Sequence, residues 1–453
     1  MKKNAILFRW AGTLEKRGPE PAILAPDGAV LRTFRDIDCE ARAWAEKMGR
    51  LAPGTVVGIQ AGNSPLWPAL VLAAMQRGLI PLPLGRHMAE EEREAALATC
   101  GAGALIAADI EDRPGNAQPA LAECDFLKLT SGTTSLPRAI RFTAAQLVAD
   151  CDQICDTMGF GGADLNFGVI PFSHSYGFSN LITPLLCRGV SLVAGEDRLP
   201  RAILTGLARS GATVFPGMPV FFEKLAGMEE GPALPRLRLC ISAGAPLPAR
   251  VGEAFSARYG LKIHTFYGSS ECGGIGYDGC AGMRYEEGYA GRPMRNVEIA
   301  PIGDTGQIAV RGPAVGLGYY PEPEPATLGG GQFIPADLVR IDAGGLRITG
   351  RAGDVINIAG RKLNPGEVEA RLAECPGVRQ VVVFGVASAL RNEEAIACVS
   401  GNADAGSVLR YARSVLSGWQ VPKDIWLVDE VPVNERGKIS RRDLARDYVE
   451  RRK

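Results

Sequence analysis

Two short apolar runs, Ala22-Ile23-Leu24-Ala25 and Val30-Leu31-Arg32-Thr33-Phe34, flank Pro26-Asp27-Gly28, and this spacing predicts a hairpin. From residue 34 to 51 the apolar period lengthens to that of a helix, with Ile37, Ala41, Ala45 and Met48 on one face. Val56-Val57-Gly58-Ile59-Gln60 reads as a buried strand, residues 66–77 as a mostly apolar helix, and residues 78–84 as a strand closed by prolines. Strand–helix–strand order predicts a parallel sheet. Leu127 and Leu129 mark the end of another strand, and a helical pattern begins at Thr143. Residues 213–219 predict strand, turn and helix start; Met218, Phe221 and Phe222 then fall at helical spacing, the mark of core packing. Leu239-Cys240-Ile241 is a buried strand that runs into the small residues Ser242-Ala243-Gly244-Ala245-Pro246, and Ile263 to Tyr267 is a strand that ends on an aromatic ring. Beyond Asp354, strands such as Val381-Val382-Val383-Phe384 alternate with helices such as 408–416, a small α+β unit of about a hundred residues.

The 453 residues leave room for two or three domains with sizeable cores. Fifty Lys+Arg balance fifty Asp+Glu, so net charge offers no nucleic-acid surface. The eleven cysteines contain no CxxC pair, and with three histidines they offer no zinc spacing. Their dispersal fits reduced core thiols in the cytoplasm. The apolar stretch before Arg9 is too short for a signal peptide, and without a run of eighteen apolar residues no membrane span is expected.

The first chemistry is Thr130-Ser131-Gly132-Thr133-Thr134, between the strand at 127–129 and the helix from 143. Its hydroxyl and backbone N–H donors can wrap the oxygens of a polyphosphate, and Arg138 adds a fixed positive charge. The loop resembles the phosphate-binding signature of the AMP-forming adenylating enzymes, which include acyl- and aryl-CoA synthetases, fatty acyl ligases and the adenylation domains of nonribosomal peptide synthetases. The family pattern is Thr-Ser-Gly-Thr-Thr-Gly-x-Pro-Lys. Here Ser135 stands in place of the last Gly and Arg138 in place of Lys. Arg keeps the charge in a bulkier, forked form, and Ser restricts a backbone that Gly leaves free.

Further motifs follow in the family's order. Pro171-Phe172-Ser173-His174-Ser175-Tyr176-Gly177 resembles the acyl-pocket motif, which implies that His174 lines the carboxylate site. No Asp stands between Phe167 and Leu185 to pair with an α-ammonium, and burying that charge unpaired is expensive, so a fatty or aryl acid is expected over an amino acid. By resemblance, adenine packs on Gly244-Ala245-Pro246. Tyr267-Gly268-Ser269-Ser270-Glu271 resembles the Tyr-Gly-x-Thr/Ser-Glu motif, which implies that Tyr267 stacks on adenine, Gly268 and Ser270 approach the nucleotide, with Ser270 at its α-phosphate, and Glu271 holds Mg2+. A lone Glu suits Mg2+, which takes one or two carboxylates beside phosphate oxygens. Gly274-Ile275-Gly276-Tyr277-Asp278-Gly279 matches a dinucleotide fingerprint by letters alone, because no helix follows it. Residues 306–312 and 316–320 look like the family's small β-barrel. Asp337 is the implied ligand of the ribose hydroxyls, Arg351 the contact to ribose and phosphate, and Gly353 the hinge, where the family usually carries an acidic residue or Lys. Val431-Pro432-Val433-Asn434-Glu435-Arg436-Gly437-Lys438-Ile439-Ser440-Arg441 resembles the motif of the family's catalytic Lys, here Lys438. The resemblance covers residues 20–445.

It implies an α/β fold. A large N-terminal domain, residues 1–351, holds layered α/β subdomains and the barrel and binds ATP and the acid; a mobile α+β domain, residues 352–453, carries Lys438. The implied reaction joins a fatty or aryl acid to AMP from ATP with Mg2+, releases pyrophosphate, and passes the acyl group to the thiol of CoA or of a carrier-protein phosphopantetheine acting in trans. A catalytically silent acyl- or nucleotide-binding homologue is the alternative, and a luciferase-like enzyme that oxidises the adenylate is a second.

Overall fold

The computed structural model describes residues 4–115, 117–130, 137–303, 305–358, 361–388, 392–433 and 439–452. They divide into two compact units. The first comprises residues 1–300, 309–335 and 342–346; the second comprises 301–308, 336–341 and 347–453.

The first unit is built on a nine-stranded sheet in the order Arg292–Pro293, Gly273–Tyr277, Ile263–Ser269, Leu239–Ser242, Val214–Gly217, Leu165–Gly168, Ser191–Ala194, Pro21–Leu24, Val30–Thr33. The six strands from Ile263–Ser269 through Pro21–Leu24 run parallel. Helices cover them, as the strand–helix alternation requires. The hairpin at 21–33, the helix Phe34–Lys47 and the strand Val56–Ile59 fall where the apolar pattern places them. Thr33 and Asp36 form a reciprocal capping box at the start of that helix. A second sheet orders Ile80–Pro83, Val56–Ile59, Ala102–Ile106 and Ile110–Asp112. Phe222 lies in the core with Phe215 and Phe255, as its helical spacing predicts.

Two features depart from the sequence reading. Residues Ala5–Arg17 form a helix that the apolar pattern does not announce. Asn4 caps it by accepting from Ile6 and Leu7 N–H, and Trp10 donates to buried Asp38 at 3.0 Å. The strands expected to form a small barrel fall instead into separate short sheets among the described residues. Gly318–Tyr320 pairs antiparallel with Ala139–Phe142, which pairs with Phe126–Leu129. An open hairpin edge presents unpaired N–H and C=O groups, and this short strand satisfies them.

The second unit has its own sheet, ordered Arg361–Leu363, Ile356–Ile358, Asn392–Gly401, Val378–Ser388, with Asp424–Val428 parallel to Asn392–Gly401. Val381 and Val383 pack on one face with Val368, Leu372 and Val408, while Val382 and Phe384 pack on the other with Leu444 and Tyr448. A strand covered on both faces reads as an unbroken apolar run, which is why 381–384 was legible. All eleven cysteines are free thiols and nine are buried. No helix of the described residues is long and apolar enough to cross a membrane.

Candidate active site

In an open parallel sheet, ligands bind outside the carboxyl ends of the strands where the strand order reverses. Here the chain runs from Leu165–Gly168 outward to Ser191–Ala194, then returns to lay Val214–Gly217 on the other side of Leu165–Gly168. The reversal lies between these two strands. The motif with His174 follows one of them, and Met218 follows the other. Next in line, Leu239–Ser242 and Ile263–Ser269 are paired through Ser242 and Thr265, so Gly244-Ala245-Pro246 and Tyr267-Gly268-Ser269-Ser270-Glu271 leave neighbouring strand ends. Gly244, Ala245 and Pro246 are exposed, and Gly244 has φ +85°, a left-handed conformation that favours Gly.

His174 is exposed and caps a short helical turn, its Nδ1 accepting from Tyr176 N–H at 3.2 Å. The next residue, Ser175, is hydrogen-bonded to Ser270 at 2.8 Å, so the His174 and Glu271 segments are tied hydroxyl to hydroxyl. Tyr176 donates to the carbonyls of Gly217 and Ile241 at 3.2 Å each. Burial pushes its phenol well up, which keeps it a donor.

The strand holding Tyr267 runs two residues further than expected, to Ser269, and turns into Gly273–Tyr277. A Cβ on Gly268 would stand 2.8 Å from Gly273 O, and one on Gly273, at φ +70°, 2.0 Å from an Asp150 oxygen, so both positions demand Gly. The helix Ala144–Met158 pins this turn: Asp150 accepts from Gly274 N–H at 3.2 Å, and Gln153 donates to Gly274 O at 2.6 Å. At the head of the turn Glu271 accepts from Ser269 through one oxygen and from the Tyr319 hydroxyl through the other, at 3.0 Å. Burial and then the Glu271 charge push the Tyr319 phenol up, so it stays protonated and donates. Arg138 lies over the other side of this relay, its guanidinium 4.1 Å from the Tyr319 ring centroid and 2.9 Å from a Glu324 oxygen. The Thr130 N–H donates to Arg138 O at 2.8 Å and closes the base of the phosphate loop. Ser131, Gly132, Thr133 and Thr134 lie outside the described residues.

In the second unit, Asp337 and Arg351, named separately for the ribose, form an ion pair at 3.1 Å. Gly353 is exposed; a Cβ there would meet nothing within 4 Å, so its local conformation does not require Gly. Arg441 holds Asp354 at 2.6 Å and Glu369 at 2.8 Å. Lys438 lies outside the described residues.

The sequence reading passed over Tyr319, Ser175, Asp150 and Lys128. Tyr319 and Ser175 stood inside recognised motifs. A charge between two Leu, as in Leu127-Lys128-Leu129, was a signal for the fourth.

A family model described as "AMP-binding enzyme" matches residues 10–127 and 116–320, and one described as "AMP-binding enzyme C-terminal domain" matches 367–438. The chain is 25% identical to a feruloyl-CoA synthase from Amycolatopsis sp over 98% of this chain and all of that protein. It is 28% identical to a long-chain-fatty-acid–CoA ligase from Bacillus subtilis over 72% of this chain and 62% of that ligase. Among solved structures, ATP-bound MatB from Rhodopseudomonas palustris superposes with TM-score 0.86 at 24% identity, covering 98% of this chain and 99% of that one. The anthranilate CoA ligase AuaEII in complex with anthranoyl-AMP gives 0.82 at 22%, covering 98% and 96%. At these identities the two structures bear on the fold.

Proposed function

The chain belongs to the AMP-binding enzyme family, and from that premise we propose that it is an acid–thiol ligase that activates a fatty or aryl carboxylic acid as its adenylate and transfers the acyl group to CoA. A carboxylate oxygen of the acid attacks the α-phosphorus of ATP, and the bond to the bridging oxygen breaks. Pyrophosphate leaves. The thiol sulfur then attacks the acyl carbon and AMP departs with the electron pair. Two anions must meet in the first step, so the protein's part is positioning and charge neutralisation. Gly244, Ala245, Pro246 and Tyr267 take the adenine, Asp337 and Arg351 the ribose. Gly268 approaches the nucleotide and Ser270 its α-phosphate, Thr130 to Thr134 and Arg138 take the departing phosphates, and His174 lines the carboxylate site.

The observation that carries this reading is the relay at the strand end: Glu271 fixed by two hydroxyl donors, with the Arg138 guanidinium on the far side of Tyr319. Its donor set is all oxygen, and each Glu271 oxygen keeps a lone pair beside its hydroxyl partner. That fits a hard cation, so Glu271 would hold Mg2+, which supplies positive charge against the phosphate oxygens. CoA is preferred to a carrier-protein phosphopantetheine because the relatives are named as CoA-forming enzymes. The free thiols support a place in the cytoplasm.

Pyrophosphate release, measured over a panel of fatty and aryl acids with and without CoA, tests the reading. A preferred acid should give a single-turnover burst without CoA and steady turnover to acyl-CoA and AMP with it. Silence with every acid would leave a binding homologue, and steady turnover without thiol would mean that the adenylate is hydrolysed or oxidised.

Gly353 is assigned to the second half-reaction, as the hinge of the C-terminal domain. Pro at this position fixes φ and removes an N–H. Gly353→Pro should keep adenylation within about threefold while thioester formation falls by about tenfold or more. Equal loss in both half-reactions of a folded variant counts against the hinge.

A further inference from the structure

Lys128 is the charged member of the strand Phe126–Leu129, and it is 5% exposed. Its ammonium lies 4.6 Å from the ring centroid of Phe142 and 5.6 Å from that of Phe178, which itself stacks on Phe126. Its hydrogen bond to Ser179 Oγ is long, at 3.4 Å. Burial pushes its pKa down, and the opposing pull comes across space from Asp150, the Cys272 thiol and Glu271. Aromatic faces and distant carboxylates recover only part of what it costs to take an ammonium out of water. A Met of similar length would fill the same aromatic box without that cost. Packing therefore gives no reason for the charge.

Its position gives one. Lys128 stands two residues before Thr130, where the phosphate loop begins, and in the three-stranded sheet it is in register through Ile140 with Tyr319, whose hydroxyl holds Glu271. The loop's other cation, Arg138, is already shared between Glu324 and the Tyr319 ring. Among the described residues the Lys128 charge is held by aromatic faces and a long hydrogen bond and not by a carboxylate in contact, so its field reaches further into the site. We infer that Lys128 is a positioning residue whose buried ammonium favours the anionic phosphates of ATP and weakens the hold of Glu271 on a divalent cation. The inference rests on the proposed ATP-binding reading of this site.

The two effects have opposite signs, which separates them from simple structural damage. Full-length Lys128→Met removes the charge, Lys128→Gln removes it in a polar side chain should Met fail to fold, and Lys128→Arg keeps it. Calorimetry in EDTA reads the affinity for metal-free ATP, and electron paramagnetic resonance reads the affinity of the enzyme–ATP complex for Mn2+. The neutral variants should bind metal-free ATP at least about fivefold more weakly, and their ATP complexes should bind Mn2+ several-fold more tightly. Lys128→Arg, which keeps the charge in a bulkier head, should not show the neutral variants' opposed pair of shifts. A neutral variant that loses both affinities together, or neither, overturns the inference while leaving the ATP site standing. A parent protein that binds no ATP even with Mn2+ overturns the functional reading, and the inference with it.

Discussion

Glu271→Gln is expected to slow Mg2+-dependent acyl-adenylate formation by about 10²-fold or more, on the scale of a lost electrostatic contact to the transition state. The substitution keeps the shape and removes the charge, but its cost has a second part. Both carboxylate oxygens are acceptors, one for Ser269 and one for the Tyr319 hydroxyl. An amide has one acceptor oxygen and one donor nitrogen. Whichever way the Gln side chain turns, one hydroxyl meets an NH2 group and must change from donor to acceptor, so its own proton loses this partner. The variant should remain folded, because Asp150 and Gln153 still pin the turn through Gly274. Rapid-quench measurement of acyl-adenylate across a Mg2+ titration decides it. A parent-like rate with the parent's Mg2+ demand would falsify the metal assignment.

The parts of this site that could be read from the sequence are those set by local rules. The strand ending at Leu129, the cap at Thr143 with its partner Gln146, and the small residues at 242–246 each follow from neighbours in the chain. Long-range pairings left no such trace. Gly318–Tyr320 is three residues long, too short to carry a register of its own, and the open edge of the 126–142 hairpin decides where it binds. That pairing brings the Tyr319 hydroxyl to Glu271, so this support of the site depended on a contact between residues 48 positions apart. Asp337 and Arg351 were named for one ligand from two motifs, but their ion pair is a property of the fold. The helix Ala5–Arg17 was missed because its buried residues, Ile6, Trp10 and Thr13, are few and include a polar one. Asn4, its cap, was the available signal.

Lys438→Ala should be the most selective change in the molecule. The assignment comes from the motif at 431–441, since Lys438 lies outside the described residues. Three residues on, Arg441 is fastened in the second unit to Asp354, to Glu369 and to the Val383 carbonyl, which anchors the C-terminal end of that motif. A single Lys charge seldom contributes much to stability, so Lys438→Ala is expected to leave the fold intact. Its proposed task is charge neutralisation between the acid's carboxylate and the α-phosphate, in a site closed to water, where one positive charge counts for more than it does in solution. Acyl-adenylate formation from acid and ATP should fall by about 10²–10³-fold, by comparison with the removal of an oxyanion donor. The thiol step no longer brings two anions together, and under the proposed alternation Lys438 would have left before it occurs. Thioester formation from a supplied acyl-adenylate should therefore stay within about threefold of the parent. Both half-reactions can be followed on one purified protein. An unchanged first step removes Lys438 from catalysis, and an equal loss in both steps removes the alternation.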